Sequence, residues 1–259
     1  MSDLDAAGKL LADLGFFSTP VSHHQANGKP GGTANRCVML ESGYLEILAP
    51  TLDTPNAARV RRYMKAYDGI HLVSYGTPAA EEDHARLVAH GFEVDPLVEL
   101  RRQTADGEVG FRVVYASDSA MPECRAQYCQ HLTPDVTWGD YHRKHTNGAL
   151  ALEAAYIVAD DVPAVAARWA EFSGLLPFRE GDEVVLKASR GTIHVASRKT
   201  LSKFIAHVPP APAVAAIRLG FSDPEKFSSL CKERGLPLKK TSRGRCVSLP
   251  ASLGGSWLF

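Results

Sequence analysis

The chain of 259 residues has no excess of charge of either sign, with 29 lysines and arginines against 29 aspartates and glutamates. That balance leaves no field to draw nucleic acid or an anionic membrane surface, and neither is expected as a partner. No apolar run approaches the ~20 residues of a membrane span. The opening Met1-Ser2-Asp3-Leu4-Asp5 lacks the basic and apolar regions of a secretory leader. Five cysteines (Cys37, Cys124, Cys129, Cys231 and Cys246) form no C-x-x-C pair, and their odd number speaks against a disulfide framework. There is no G-x-S-x-G elbow. The stretch from Asn27 to Gly32 is glycine-rich but has no strand-to-helix context, so it is no phosphate-binding loop; it reads as a flap or a hairpin connection. A reducing, cytoplasmic setting is the expectation.

What is present is an internal echo. Tyr44-Leu45-Glu46-Ile47-Leu48-Ala49-Pro50 returns as Tyr128-Cys129-Gln130-His131-Leu132-Thr133-Pro134. Strand side chains alternate, so Tyr, Glu or Gln, and Leu share one face in each copy. By that phase Gln130 joins the face of Glu46, and Cys129 and His131 lie opposite. An acidic or amide group on a buried face is costly without a partner or ligand, so the two copies are candidates to line one site.

Four helix starts recur through the chain. Ser2 or Asp3 can cap a helix carrying Leu4, Ala7, Leu10, Leu11 and Leu14 and closed by Gly15. Thr77-Pro78, Asp161-Val162-Pro163 and Ser222-Asp223-Pro224 open three more, ending near Gly91, Gly174 and Gly235. Three strand-like runs follow each: 18–22, 36–40 and 44–48; then 98–102, 110–116 and 126–132; then Phe178, 183–188 and 192–197; then 238–240, 246–249 and 256–259. Runs at 69–75, 154–159 and 215–221 precede the last three helices. No run precedes the first, so either one strand lies upstream or the first sheet does without it.

The segment from Gly31 to Arg36 leading into Tyr44–Leu48, with Tyr128-Cys129-Gln130-His131, Trp138 and His145-x-Asn147-Gly148-Ala149, resembles the glyoxalase-like members of the vicinal oxygen chelate superfamily. The resemblance implies an α+β fold of four repeated βαβββ units. These would form two paired half-open antiparallel barrels, over 1–140 and 146–259, with the first strand of the first unit missing. It also implies a divalent metal (Fe, Mn, Zn or Ni) in the first cup, or no cofactor if that site has been lost. Mapped onto this chain, its ligands would be Glu46, His71 and Gln130, with Glu46 also the catalytic group. Asn35, Arg36, Tyr44, Tyr128 and Trp138 are the expected substrate contacts, Arg36 as the natural partner of a carboxylate. In the second pair the matching places hold Ala154 or Ala155, His194, Arg218, and Trp257 or Leu258, a poor set for a cation. His142 and His145 share the joining segment with Trp138, where all three either cover the cup or pack the halves together.

Two functions fit these residues. One is a metal-dependent lyase, isomerase or dioxygenase acting on a small oxygen-bearing metabolite. The other is a non-catalytic small-molecule-binding or sequestering protein of the same fold that has lost its metal site; in either case the chain is expected as a monomer or homodimer. Substrate and metal stay open at this point.

Overall fold

A computed structural model describes residues 3–26, 28–67, 69–104, 106–139, 144–250 and 253–259. Helix α1 (Leu4–Asp13) starts at Asp3, whose carboxylate accepts from the Asp5 and Ala6 amides at 3.0 and 2.8 Å, satisfying donors that a first turn leaves free. Ser2, the other expected cap, lies outside the described residues. Strands β1 (Ser22–Ala26), β2 (Lys29–Met39) and β3 (Tyr44–Pro50) follow. The first is later than the expected 18–22. Ala26 pairs with Lys29 across Gly28, whose φ of +71° suits the tight turn, so the glycine-rich stretch is a hairpin connection.

Helix α2 (Pro55–Ala66) was not expected. Thr54 caps it at the Ala57 amide and Pro55 sits in its first turn, the same signal as at the other helices. Its buried face is only Ala57 and Val60, too narrow a stripe to stand out among its arginines. The chain continues through β4 (Leu72–Gly76), α3 (Ala80–Ala89), β5 (Val98–Thr104), β6 (Gly107–Tyr115), β7 (Arg125–His131) and the single turn α4 (Pro134–Thr137). Next come β8 (Ala149–Val158), α5 (Val162–Ser173), β9 (Pro177–Glu180), β10 (Glu183–Lys187), β11 (Thr192–Ala196) and α6 (Arg198–Leu201). The last set is β12 (Ala213–Phe221), α7 (Pro224–Glu233), β13 (Leu238–Thr241), β14 (Gly244–Ser248) and β15 (Ser256–Leu258). Asp161 and Asp223 cap α5 and α7, and Gly174 ends α5 in the left-handed conformation. This is a mixed α+β chain, as expected.

The strands form sheets of order β1-β2-β3, β4-β7-β6-β5 and β13-β14-β15-β12-β8-β11-β10-β9. In three places the strand before a helix runs parallel to the last of the three strands after it: β4 with β7, β8 with β11, and β12 with β15. Among the described residues β3 has only β2 as a sheet neighbour, and the turn before it bridges Ser42 to Ala151 of β8.

Helices α1, α3, α5 and α7 share one apolar core with strands of all three sheets. Phe16, just past α1, packs edge-on against Phe221, Phe227 and Trp257. Trp169 and Phe172 of α5 meet Tyr75 and Phe172 also meets Tyr128. The helices therefore form a middle layer, and each sheet turns its other face outward. His145 and Asn147 fasten the segment before β8 to α1 and β2. His145 bridges the Met39 carbonyl and the Phe17 amide, and Asn147 donates to the Leu14 carbonyl at 2.7 Å. Among the described residues, no helix is long and apolar enough to cross a membrane.

One ion pair ties the β6–β7 connection to α5: Arg168 holds Glu123, whose side chain is 0% exposed. A buried carboxylate stripped of its cation is strongly penalised. Arg168→Met should therefore lower the unfolding free energy by about 3–5 kcal/mol in urea titrations, and adding Glu123→Gln should restore part of that loss.

Candidate functional site

Because the helix layer takes one face of β2, β3, β4, β6 and β7, the opposite face is set by register alone. Cys37 lies across from Glu46, Asn35 from Leu48, and Met39 from Tyr44, so these six share the outward face of β2 and β3. On the other sheet, Phe111 faces His131, Val113 faces Cys129 and Tyr115 faces Gln127, with Arg125 across from Leu72. The two outward faces are turned toward each other, Tyr44 of β3 meeting His131 of β7 at 6.0 Å, and so make one concave face whose seam is closed by Arg102 of β5 donating to the Ser22 hydroxyl at 2.6 Å.

Glu46 is central there. Asn35 donates its side-chain N–H to Glu46 Oε1 at 2.7 Å, and His24 Nε2 stands 3.8 Å from the same oxygen. The other ring nitrogen of His24 meets the Thr33 hydroxyl at 2.8 Å, which is held in turn by Asn56 of α2. Burial pulls the His24 imidazole below its ordinary range. The Glu46 charge opposes this, and the guanidinium charges of Arg102 and Arg125 reinforce it, so the ring is neutral at pH 7. Arg125 is 7% exposed and lies 4.1 Å above the Tyr115 ring.

At the other end of the face, four rings gather. His131 meets Phe111 edge-on at 5.0 Å, Trp138 at a tilt at 5.6 Å and Tyr44 edge-on at 6.0 Å. Trp138 donates its indole N–H to His131 Nδ1 at 3.1 Å. Desolvation brings the His131 pKa down to about 4. Burial, ahead of the nearby Glu46 charge, raises Cys129 to about 12 and Cys37 higher still, so neither thiol is a ready nucleophile.

The structure thus brings Glu46, Asn35, Tyr44 and Trp138 to one surface and takes four expected residues away. Arg36 is paired with Ile47 and faces α1, where it binds the Leu4 and Thr19 carbonyls and Asp5. Tyr128 packs on Phe172 in the helix layer. Gln130 caps α3: its Oε1 accepts from the Ala80 amide at 3.3 Å and its Nε2 donates to the Pro78 carbonyl at 2.6 Å. His71 holds the Tyr67 carbonyl at 2.7 Å beneath the Tyr67 and Tyr63 rings. In β7 the outward set is therefore Arg125, Gln127, Cys129 and His131, one residue out of phase with the echo. Cys129 shares the face of Glu46 after all. His24, Arg102 and Arg125 were missed as site residues. In the sequence His23 and His24 stand side by side ahead of the hairpin, and nothing marks the two arginines. His142 lies outside the described residues.

Among the described residues the second half has no comparable surface. The outward faces of β8 and β12 are covered by Leu201, Phe204, Ile205 and Val208 from α6 and the segment after it. His194 is there as expected, but it is held by Glu183 at 2.8 Å, and Arg243 pairs with the same carboxylate at 2.8 Å. Burial opposes ionisation of Glu183, yet these two partners hold its carboxyl below the usual range.

A family model described as the glyoxalase-like domain matches residues 1–173. The chain belongs to the glyoxalase-like domain family. Solved structures share its fold at low identity. A hypothetical protein from Staphylococcus aureus aligns with a TM-score of 0.65 at 11% identity, over 93% of this chain and 89% of that one. The Mn(II)-bound glyoxalase from Novosphingobium aromaticivorans gives 0.59 at 10%, over 99% and 78%. A mutant 4-hydroxymandelate synthase from Streptomyces coelicolor gives 0.53 at 15%, over 99% and 89%. No curated protein sequence matches significantly.

The donor set here does not fit a divalent cation. Glu46, His71 and Gln130 are apart, and among the described residues no three His, Cys, Asp or Glu side chains are placed to hold a metal. What surrounds Glu46 is one imidazole and one amide, and His24 already feels two guanidinium charges there. A site that repels cations is a poor host for a dication.

The neutral histidines carry a pH consequence. His131 titrates near 4 when folded against an ordinary 6.5, so the unfolded chain takes its proton first as pH falls. Its contribution to stability is unaffected near neutrality and drops by about 1.4 kcal/mol per pH unit through the window between those values. Urea unfolding followed from about pH 7 to about pH 4 should show this slope, and His131→Gln should remove it.

Proposed function

We propose that the chain acts on a small oxygen-bearing metabolite held on the concave face of its first half, with Glu46 moving a proton. One observation carries this reading. Glu46 is the carboxylate that the strands place on this face. It is half-buried, oriented by the Asn35 amide and 3.8 Å from a histidine kept neutral by its surroundings. A carboxylate base backed by a neutral imidazole is a competent pair for taking a proton from carbon or oxygen and returning it. Its fixed hydrogen bond to Asn35 leaves Oε2 as the atom facing substrate. Membership of the glyoxalase-like family supports a small-molecule substrate; the arrangement of side chains supports chemistry without a metal. In this reading the segments 1–140 and 146–259 are paired repeats, the first bearing the site and the second serving as its structural partner.

Proton movement is measured by solvent deuterium incorporation, followed by NMR, across a panel of small 2-oxo and 2-hydroxy compounds. Glu46→Gln should slow exchange by about 100- to 10,000-fold. His71→Phe, which removes an imidazole bonded to the Tyr67 carbonyl and keeps the backbone bond to Arg125, should leave it unchanged, as should treatment with EDTA. Saturable binding with no exchange in the wild type would replace this reading with that of a binding protein. Loss of exchange on chelation would restore the metal.

A further inference from the structure

The concave face is unbalanced in charge and in hydrogen bonding. Glu46 is its one anion among the described residues, while Arg102 and Arg125 are both cationic and neither forms an ion pair with a described carboxylate. Arg102 is anchored to Ser22 and lies over Phe111 at 5.4 Å. Arg125 has only the Tyr115 ring beneath it. Its guanidinium makes no hydrogen bond among the described residues, and its Nε is buried without a partner. Asn35, 4% exposed, spends its N–H on Glu46 while its Oδ1, beside His24, makes no hydrogen bond of proper geometry. A guanidinium Nε and an amide oxygen buried without partners are costly in the free state.

β7 also gives these features an order. Its outward residues run Arg125, Gln127, Cys129, His131, with Cys129 near Glu46 and His131 among the rings. An unpaired cation stands at one end, an acceptor with a base in the middle, and an aromatic wall at the other end.

Resting on the reading that this face is the ligand site, we propose that its ligand is a small hydroxycarboxylate with an apolar, ring-sized tail. The carboxylate accepts from Arg125, with Arg102 adding to the field. The hydroxyl donates to Asn35 Oδ1 beside Glu46. The tail lies against Tyr44, Phe111, His131 and Trp138. The charge and the hydroxyl each answer a deficiency already present, neutralising the excess cation and supplying the missing donor, and the tail adds an apolar partner to the ring cluster.

Calorimetric titration of the full chain with 3-phenyllactate tests this, beside 3-phenylpropionate, which lacks the hydroxyl, and 3-phenyl-1-propanol, which lacks the carboxylate. Phenyllactate should bind at one site, about tenfold tighter than phenylpropionate and about a hundredfold tighter than the alcohol. Arg125→Met should weaken phenyllactate about a hundredfold and leave the alcohol unchanged. Because Arg125 is buried, the half-exposed Arg102→Met is run alongside and should weaken phenyllactate several-fold while the fold is intact by circular dichroism. Equal affinity for the alcohol and the two acids in the wild type would overturn the proposal, as would unchanged phenyllactate binding in both variants. In either case deuterium exchange at Glu46 would still stand or fall separately, since that assay uses a panel not confined to acids.

Discussion

Everything on the concave face follows from a single packing constraint: the helices lie between the sheets and claim one side of the central strands. A strand that buries Leu45, Ile47 and Ala49 against α1 has no choice about where Tyr44, Glu46 and Leu48 go. The same holds for β7, where Tyr128 is drawn inward by Phe172 and Tyr75 and its odd-numbered neighbours are turned outward. Chemistry in this fold is confined to the positions the helix layer does not use. The buried helical layer is what the two halves share, and it holds the site's geometry from behind.

Helix α2 works on that geometry from the front. Arg59 binds Asp118 at 2.6 Å, Asp95 at 3.1 Å and the Ala116 carbonyl at 2.8 Å, pinning the helix to the end of β6 and the loop beyond it. From there Asn56 reaches Thr33, Thr33 reaches His24, and His24 faces Glu46. This chain of hydrogen bonds fixes a histidine whose own backbone is in a short, bulged strand. A lone imidazole at such a position would swing among rotamers. Held at Nδ1, it presents Nε2 to the carboxylate. Preorganisation of this kind is what makes a weak acid–base pair useful.

Much of this was legible in the sequence. The helix starts carry side chains that name themselves, Asp3, Asp161 and Asp223, because capping is a local interaction. Glu46 was placed on the right face because β3 alternates cleanly between buried and half-buried positions. The phase of β7 was not legible, because Arg125 through Cys129 are all buried and a strand covered on both faces shows no alternation. Similar letters in the echo then suggested a false equivalence: Tyr44 is on the rim of the site and Tyr128 in the helix layer. Gln130 resembled a ligand by position, yet its amide supplies the cap that Ala79 cannot give to α3. Arg102 and Arg125 gave no signal, since their meaning depends on a seam between strands far apart in the chain.

The two halves show what separates a site from a well-packed polar cluster. Both outward faces carry a glutamate, a histidine and arginines. In the second, Glu183 is held by His194 and Arg243, Arg243 lies over the Phe204 ring at 4.3 Å, and α6 with the segment after it seals the surface. The carboxylate there has its counter-charge, Arg218 is bonded to the Arg243 carbonyl, and the surface is covered, so little is gained by admitting another molecule. In the first, among the described residues, Glu46 receives only a neutral amide and a neutral imidazole, while Arg125 receives no anion. The cost of burying that guanidinium is borne by the free protein and is relieved only when something negative arrives. An unsatisfied group, more than any particular residue type, is what marks the face for binding.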